Sequence, residues 1–228
     1  VKVNADKAIA DEKEAVVSGE AEIVNAKASE AKAIADDAQA DLDAAKPELD
    51  NAQKALAMLD KDSIVEIKAF KTPPQGVVFV MECVMILLGE AKDWASIKKV
   101  LGDTNGFLNK LKTYDVTKTL EKVWKKARDG YISKPNFDPA EVKKISIAAS
   151  ALCTWANACS KYQMVTKKVA PKKAKLAEVT VVLNEAQAEL KVKLDMVQNV
   201  KDQVAKLEAE CQAMQDEKED LEFKMDRD

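Results

Sequence analysis

The sequence predicts an all-α protein: a long antiparallel intramolecular coiled coil capped by a small globular helical bundle. Seven-residue apolar repeats run through both ends of the chain, and charged residues make up 33% of it against 5% for aromatic residues. Glycine and proline number only six each, too few for a strand-and-turn protein of 228 residues. We therefore expect a first arm at residues 1–70, a head at 71–170 and a second arm at 171–228.

The first arm carries a two-position repeat that is typical of a coiled-coil seam. One position holds alanine and leucine and the other holds mainly valine and alanine; the members are Ala21, Ala28, Ala35, Leu42, Leu49 and Leu56, and Val3, Ala10, Val17, Val24, Ala31, Ala38, Ala45, Ala52 and Leu59. Because alanine buries little area, we expect close-set helices of modest stability that tolerate sliding.

Two features interrupt this repeat. Pro47 lies inside it and removes a backbone donor, so we expect it to kink the helix. After Leu59 the apolar residues move to Ile64 and Ile67, which the earlier register does not predict. The intervening residues 60–63 mark either a local stutter or a point where the register shifts.

The pair Pro73-Pro74 separates the first arm from the head. Proline disfavours helix in the residue before it but suits the first turn of a helix, so one helix should end near Phe70 and another begin near Pro74. The first strongly apolar run, residues 77–88, follows this pair. Pro171 marks the reverse change, from mixed sequence back to a heptad-like one.

The head pattern predicts a bundle of short helices. The helix that begins at Pro74 should end at Gly89, and Asp93 should cap a second helix that Gly102 closes. Another short helix is expected around residues 107–111. These elements suffice for one small core.

The later part of the head predicts a loop at residues 131–137 and then a helix start at Asp138-Pro139. From there apolar residues at helical spacing run on into the second arm. The large core side chains are expected to be Trp94, Trp124 and Trp155.

A basic helix is predicted in the middle of the head. Thr117 is its expected cap, Gly130 its end, and Leu120, Val123 and Trp124 its inner face. Its outer face then carries Lys122, Lys125, Lys126 and Arg128, and Lys143-Lys144 opens the next helix.

The charge is divided between the head and the arms. Residues 71–170 hold 17 Lys and Arg against 9 Asp and Glu, a net charge of +8, while the rest of the chain carries −11. A basic centre between acidic flanks predicts an acidic partner for the head. Exposed aromatic residues and glycine-rich loops do not accompany the lysines, so binding to single-stranded nucleic acid is weakly supported.

The sequence gives no indication of catalysis, a cofactor or a metal site. It contains no histidine, no CxxC pair, no phosphate-binding glycine loop and no nucleophile with a base partner. Cys83, Cys153, Cys159 and Cys211 are expected to be buried small hydrophobic residues in a reducing compartment. With no 18-residue apolar run and no basic-plus-apolar leader, neither a membrane span nor a secretion signal is predicted.

The second arm resumes the seam. Its two positions are held by Val169, Leu176, Leu183, Leu190, Val197, Val204 and Cys211, and by Val179, Ala186, Val200, Leu207, Met214 and Leu221, with Lys193 as an intruder. Because the two arms match in character and flank a head, the simplest assembly is a hairpin with the head at its end.

Several motifs in the head and the bases of the arms resemble the stalk of dynein heavy chains. They occur in order, at compatible spacing, over roughly residues 45–190: Ile64–Pro74, Val84–Gly89, Asp93-Trp94, Asn136–Pro139, Leu152–Trp155 and Val169–Lys173 with Leu176. The outer ends of the arms match only as coiled coil.

The resemblance implies a stalk that grows out of an ATPase ring absent from this chain, so the chain itself is expected to be no enzyme. The implied partners are the microtubule of α/β-tubulin and the remainder of the dynein heavy chain, without nucleic acid or membrane. The family relays the nucleotide state of its ring by sliding one stalk helix about half a heptad against the other. Pro73, Pro74 and Pro171 would then form the joint between stalk and head.

The resemblance also implies a set of microtubule-binding residues: Lys71, Gln75, Val78, Lys122, Lys125, Lys126, Arg128, Lys143 and Lys144. One of these positions departs from cytoplasmic dyneins, because Val78 stands where they carry a lysine. In the basic helix, Trp124 stands where they carry an arginine. These departures, and the motif Asn136–Pro139, are more similar to axonemal dyneins, which implies a cytoskeletal location in the axoneme of a cilium or flagellum.

Two other classes of protein fit the pattern less well. A coiled-coil hinge or tip domain of a nucleic-acid-associated protein would explain the basic head, but the missing CxxC hook and the glycine-poor head argue against it. A purely structural spacer would give no reason for a basic head or for an interrupted seam.

Overall fold

The computed structural model describes residues 2–225, and in that range it is built from helices without a strand. The α-helices are α1 (Lys2–Ala57), α2 (Lys61–Ala69), α3 (Gln75–Leu88), α4 (Trp94–Gly102), α5 (Thr104–Lys112), α6 (Glu121–Ala127), α7 (Pro139–Lys143) and α8 (Ile147–Met225). A π-helical turn, Arg128–Ile132, follows α6 directly. The all-α prediction is confirmed, and none of these helices is both long and apolar enough to cross a bilayer.

The chain divides into two compact units. The arm unit consists of Val1–Asp36 and Lys173–Asp228, and the head unit consists of Asp37–Lys172. Helices α1 and α8 each contribute residues to both units. Val1 and residues 226–228, where the predicted arms begin and end, lie outside the described residues.

In the arm unit, α1 and α8 run antiparallel. Salt bridges join Lys7 to Glu208 at 3.2 Å and Lys193 to Glu20 at 2.7 Å, so the partner's number falls as the residue number rises. The buried residues are members of the predicted repeats: Ala10, Val17, Val24, Ala31, Val197 and Val204. The intramolecular antiparallel coiled coil is therefore confirmed.

Four seam predictions near the end of α8 are wrong. Leu207, Met214 and Leu221 are 39%, 62% and 54% exposed. Cys211 was expected to be buried, but it is exposed. Since Lys7 pairs with Glu208, Cys211 lies level with the first turn of α1. Lys193, which interrupts the predicted repeat, lies at the edge of the seam, where its hydrogen bond to the Glu20 carboxylate raises its pKa.

The head unit contains the continuation of the same helix pair. Asp41 accepts a hydrogen bond from Lys172 at 2.7 Å, and Glu48 accepts one from Lys161 at 2.6 Å, which keeps the antiparallel order. Pro47 lies inside α1 and does not end that helix; α8 likewise runs through Pro171.

The phase change after Leu59 is a helix break rather than a stutter. Helix α1 ends at Ala57, and Asp60 caps α2 by accepting hydrogen bonds from the backbone N–H and the hydroxyl of Ser63, both at 2.8 Å. The backbone N–H of Ser63 is the main reason that the pKa of Asp60 is lowered. Because the chain restarts in a new helix, Ile64 and Ile67 re-enter the core in a new phase.

The helix break predicted at Pro73-Pro74 is observed. Helix α2 ends at Ala69 with Phe70 as its C-cap, and α3 begins directly after Pro74. The indole N–H of Trp94 donates to the Phe70 carbonyl at 3.4 Å, which ties the end of α2 to the start of α4.

The head core forms around large aromatic side chains, much as predicted. Trp124 and Trp155 are buried, Trp94 is half-buried, and the ring of Tyr114 packs edge-on against both buried indoles, at 6.3 and 5.2 Å. The other three cysteines, Cys83, Cys153 and Cys159, are buried as expected, and burial raises the pKa of each thiol to about 12.

The limits of the basic helix were predicted wrongly. Thr117 does not cap it; Thr117 donates its own N–H and hydroxyl to Asp115 in a turn, and α6 begins only at Glu121. Leu120, expected inside, is 62% exposed because it precedes the helix. Gly130 does not end the element, since the π-helical turn carries the chain on to Ile132.

The last head helix is divided in two. Asp138 caps α7 as predicted, by accepting from the N–H of Ala140 at 2.9 Å. Helix α7 then ends at Lys143, and α8 starts at Ile147 after a turn in which the Ser146 hydroxyl accepts from the N–H of Ala149.

Candidate functional site

The predicted binding residues fall on separate parts of the head unit. Lys71 lies exposed in the bend between α2 and α3, Pro73 and Pro74 follow it half-buried, and Pro171 is exposed on α8. The remaining residues lie on α3, on α6 with the π-helical turn, and at the end of α7.

The first turn of α3 and the turn after α7 are in contact. A methyl group added at Gly76 would lie 3.1 Å from Cδ1 of Ile145. This contact brings two predicted pairs, Gln75 with Val78 and Lys143 with Lys144, to one side of the head. We call the surface formed by Gln75, Val78, Lys143, Lys144 and Ile145 the α3–α7 face.

The core holds the α3–α7 face in position. The Ser150 hydroxyl of α8 donates to the Pro139 carbonyl at 2.8 Å and fixes the start of α7. On that helix, Lys144 pairs with Glu141 at 2.7 Å with both side chains exposed, a contact that water screens. Within residues 2–225, Lys143 is exposed and forms no salt bridge.

Helix α6 presents its lysines to solvent and its tryptophan to the core. Lys122, Lys125 and Lys126, here called the α6 lysines, are exposed, and none forms a salt bridge in the described part of the chain. On the opposite side Trp124 is fully buried and its indole N–H donates to the Val116 carbonyl at 3.3 Å. The three ammonium groups are therefore available to an external anion.

Arg128 is not on the outer face, contrary to the sequence prediction. Its side chain is only 17% exposed, and its Nε donates to the Ser160 hydroxyl at 3.0 Å. Its Nη2 donates to Gln163, its Nη1 lies 3.6 Å from Glu121, and the guanidinium carbon lies 5.6 Å from the centroid of the Trp124 ring. The guanidinium is thus occupied by internal contacts.

Glu121 connects Arg128 to α8 a second time. It accepts hydrogen bonds from Lys167 at 2.8 Å and from Gln163 at 2.9 Å, and the Lys167 bond is the main reason that the pKa of Glu121 is lowered. We call this set (Glu121, Arg128, Ser160, Gln163 and Lys167) the Arg128 network. The sequence prediction missed all of its members except Arg128.

Helices α6 and α7 are attached to α8 at different levels. Helix α6 is fixed to α8 at Ser160, whereas α7 is fixed to α8 at Ser150. Ten helical residues separate these two positions, which corresponds to about 15 Å along the axis of α8. In the described residues no group of three or more Cys, Asp or Glu side chains converges to hold a metal ion.

Comparison with known proteins supports the resemblance to dynein stalks that the sequence motifs indicate. The family model of the microtubule-binding stalk of dynein motors matches residues 1–225. Human dynein axonemal heavy chain 6 is 40% identical over 161 residues, 71% of this chain and 4% of that protein. The dynein-1-beta heavy chain of the flagellar inner arm I1 complex of Chlamydomonas reinhardtii is 42% identical over 168 residues, 74% of this chain and 4% of that protein.

A solved structure is also similar. The microtubule-binding domain of dynein-c is 36% identical with a TM-score of 0.51, over 59% of this chain and 95% of that structure. The chain spans about 4% of the length of the two curated relatives above. Nothing in these comparisons supports a nucleic-acid-associated protein. Because the family model covers nearly the whole sequence, the chain belongs to the family of microtubule-binding stalks of dynein motors.

Proposed function

We propose that the head binds the acidic surface of α/β-tubulin through the α3–α7 face, with the α6 lysines adding attraction. The observation that carries this proposal is that Lys143 is exposed and forms no salt bridge within residues 2–225, two positions before the Ile145 that touches the first turn of α3. Opposite charges steer the encounter of two proteins, and salt screens them. Affinity should therefore fall as the salt concentration rises.

The test is charge reversal with a matched control. Lys143→Glu with Lys144→Glu should weaken cosedimentation with microtubules at moderate salt. The adjacent pair Lys98 and Lys99 on α4, which forms no salt bridge in the described residues, provides the control double reversal with the same change in net charge. Unchanged binding of the Lys143 and Lys144 variant, or an equal loss in the control, would contradict the assignment of this face.

We further propose that sliding of α1 against α8 sets the affinity of the head. The alanine-rich seam of the arm unit supports this, because small side chains present low barriers to a shift in register. In a Cys211→Ser background, a disulfide between residues 17 and 197, which line one groove, would hold the present register. A disulfide between residues 17 and 200 would hold a register displaced by three residues. The two locked forms should differ in affinity, and equal affinity would exclude sliding as the signal.

The remaining parts of the proposal follow from the family. We propose that the chain itself is no enzyme, that ATP is hydrolysed in another part of a dynein heavy chain, and that neither nucleic acid nor membrane is a partner. A salt series with microtubules and duplex DNA tests the nucleic-acid exclusion. The axonemal and flagellar relatives support a location in the axoneme.

We also propose functional boundaries at residues 70/71 and 170/171, with Pro73, Pro74 and Pro171 as the joint. The helix end at Ala69 and the helix start at Gln75 support the first boundary. Limited proteolysis of the free and the microtubule-bound chain tests both boundaries, because the rate of cleavage at a joint that moves should change when the head is bound.

A further inference from the structure

Exposed apolar side chains lie on the α3–α7 face and beside it. Ile147, the first residue of α8, is 71% exposed, and Ile145 is 44% exposed although it touches the first turn of α3. Val78 in that turn is partly exposed as well. Among the described residues of the head unit, Ile145 and Ile147 are the isoleucines that are exposed, and they lie within three positions of each other.

The folding of the head does not require Ile147. The start of α8 is anchored by its other side, where Ser146, Ala148 and Ala149 are buried at 3%, 2% and 0% exposure. The Ser146 hydroxyl also caps the helix. With the inner face of this turn filled by small residues, Ile147 is directed away from the core.

The surroundings of Ile147 match those of an interface centre. Lys143 and Lys144 lie three or four positions before it and are exposed to solvent. Protein interfaces commonly have an apolar centre with few charges and a polar rim. The basic rim favours an acidic partner surface. The apolar centre favours a folded partner, because a flexible acidic peptide has no preformed apolar pocket to receive Ile147.

We propose that Ile147, with the exposed part of Ile145, is the apolar centre of the surface that contacts the microtubule, and that Lys143 and Lys144 are its charged rim. The occupant is the folded acidic surface of tubulin. This inference rests on the proposed function and adds to it a contact that charge does not predict.

The two kinds of contact respond differently to salt. Removing a buried isoleucine side chain from an interface should weaken affinity about tenfold at every salt concentration, since apolar burial is not screened. Reversing Lys143 should weaken affinity strongly at low salt and less at high salt. The dependence on salt therefore separates the centre of the face from its rim.

The experiment is cosedimentation with microtubules at three salt concentrations, using the whole chain. Ile147→Ser and Ile147→Gln remove the apolar contact, and Ile147→Met retains it. Leu120→Ser and Met164→Ser are matched controls, because these side chains are 62% and 57% exposed elsewhere in the head unit. Thermal unfolding of each variant checks that the head remains folded.

We expect the Ser and Gln variants of Ile147 to bind about tenfold more weakly at all three salt concentrations, and Ile147→Met and both controls to bind within about twofold of the wild type. The inference would be overturned if the wild-type chain bound and Ile147→Gln bound equally well, or if Leu120→Ser lost as much affinity as Ile147→Gln. Either result would leave the proposed function standing. A wild-type chain that fails to cosediment would overturn both.

Discussion

Replacing Arg128 with methionine tests whether the Arg128 network is structural. The substitution removes the guanidinium from the Ser160 hydroxyl, from Gln163 and from the face of Trp124, while a flexible side chain still fills much of the space. Ser160 and Gln163 are only 3% and 7% exposed, so water replaces few of the lost contacts. A hydrogen bond from a charged donor contributes about 1.5–3 kcal/mol, and the cation–π contact adds about 0.5–2 kcal/mol.

We therefore expect Arg128→Met to lower the free energy of unfolding of the head by about 2–4 kcal/mol, because the methionine side chain recovers part of the packing. Tryptophan fluorescence in a urea titration measures this, since Trp94, Trp124 and Trp155 all lie in the head unit. Lys125→Met, on the exposed side of the same helix, should change stability by less than about 0.5 kcal/mol. Folded Arg128→Met should bind microtubules within about twofold of the wild type.

Two results would refute this interpretation of Arg128. The first is a stability within about 0.5 kcal/mol of the wild type, which would mean that the contacts to α8 contribute nothing net. The second is a loss of microtubule affinity larger than that of Lys125→Met in a variant of unchanged stability. That result would return Arg128 to the binding surface, where the sequence had placed it.

Three further substitutions give clear expectations. Asp60→Ala should lower the thermal midpoint near neutral pH. Because hydrogen bonds from Ser63 lower the pKa of Asp60, the stabilisation by the Asp60 carboxylate is present above the unfolded pKa of about 3.9 and disappears as the pH falls through the folded-state pKa. An equal loss of thermal stability at pH 7 and at pH 2 would contradict the cap. Gly89→Ala should cost about 1–2 kcal/mol in urea titrations, because Gly89 has a φ of +74° at the end of α3. Pro171→Ala should raise the thermal midpoint measured by circular dichroism, since proline within a helix is about 3 kcal/mol less favourable than alanine; a lower midpoint would show that the proline is required where it lies.

The coiled coil and the helix break at Pro73-Pro74 could be predicted from the sequence because each depends on local rules. A seven-residue repeat fixes which side of a helix is buried, and the buried residues of the arm unit belong to the predicted sets. The caps at Asp93 and Asp138 were predicted for the same reason, since a short polar side chain before a helix accepts from the N–H groups of the first turn.

The basic helix was less predictable because its limits depend on contacts with distant residues. In the turn before α6, Asp115 accepts a hydrogen bond from the N–H of Thr117, whereas Thr117 itself was expected to cap the helix. The local sequence does not show which of these two side chains accepts the backbone hydrogen bond. The continuation through Gly130 brings Tyr131 onto Phe79 of α3, with ring centroids 4.9 Å apart. Packing of that kind decides where a helix ends, and it is absent from any local pattern.

The position of Arg128 was, in contrast, available from helix geometry. Arg128 lies four residues after Trp124, so both side chains share one face of the helix, and the tryptophan was correctly expected inside. The prediction grouped Arg128 with the lysines by charge instead of by face. Lys122, Lys125 and Lys126 lie on other sides of α6, and their exposure agrees with the prediction.

The net charge of the head therefore exceeds the positive charge that is available to a partner. Arg128 and Lys167 are engaged in the Arg128 network, and Lys110 pairs with Glu90 at 2.8 Å. The α6 lysines form no salt bridge in the described part of the chain, and the π-helical turn after them is attached to α8 about 15 Å along its axis from the attachment of α7. In the proposed function, the α6 lysines attract the partner before binding, whereas Lys143 and Ile147 make the contact itself. On that proposal, the number of lysines would explain why the head approaches an acidic surface, and the α3–α7 face would explain which side of the head remains bound to it.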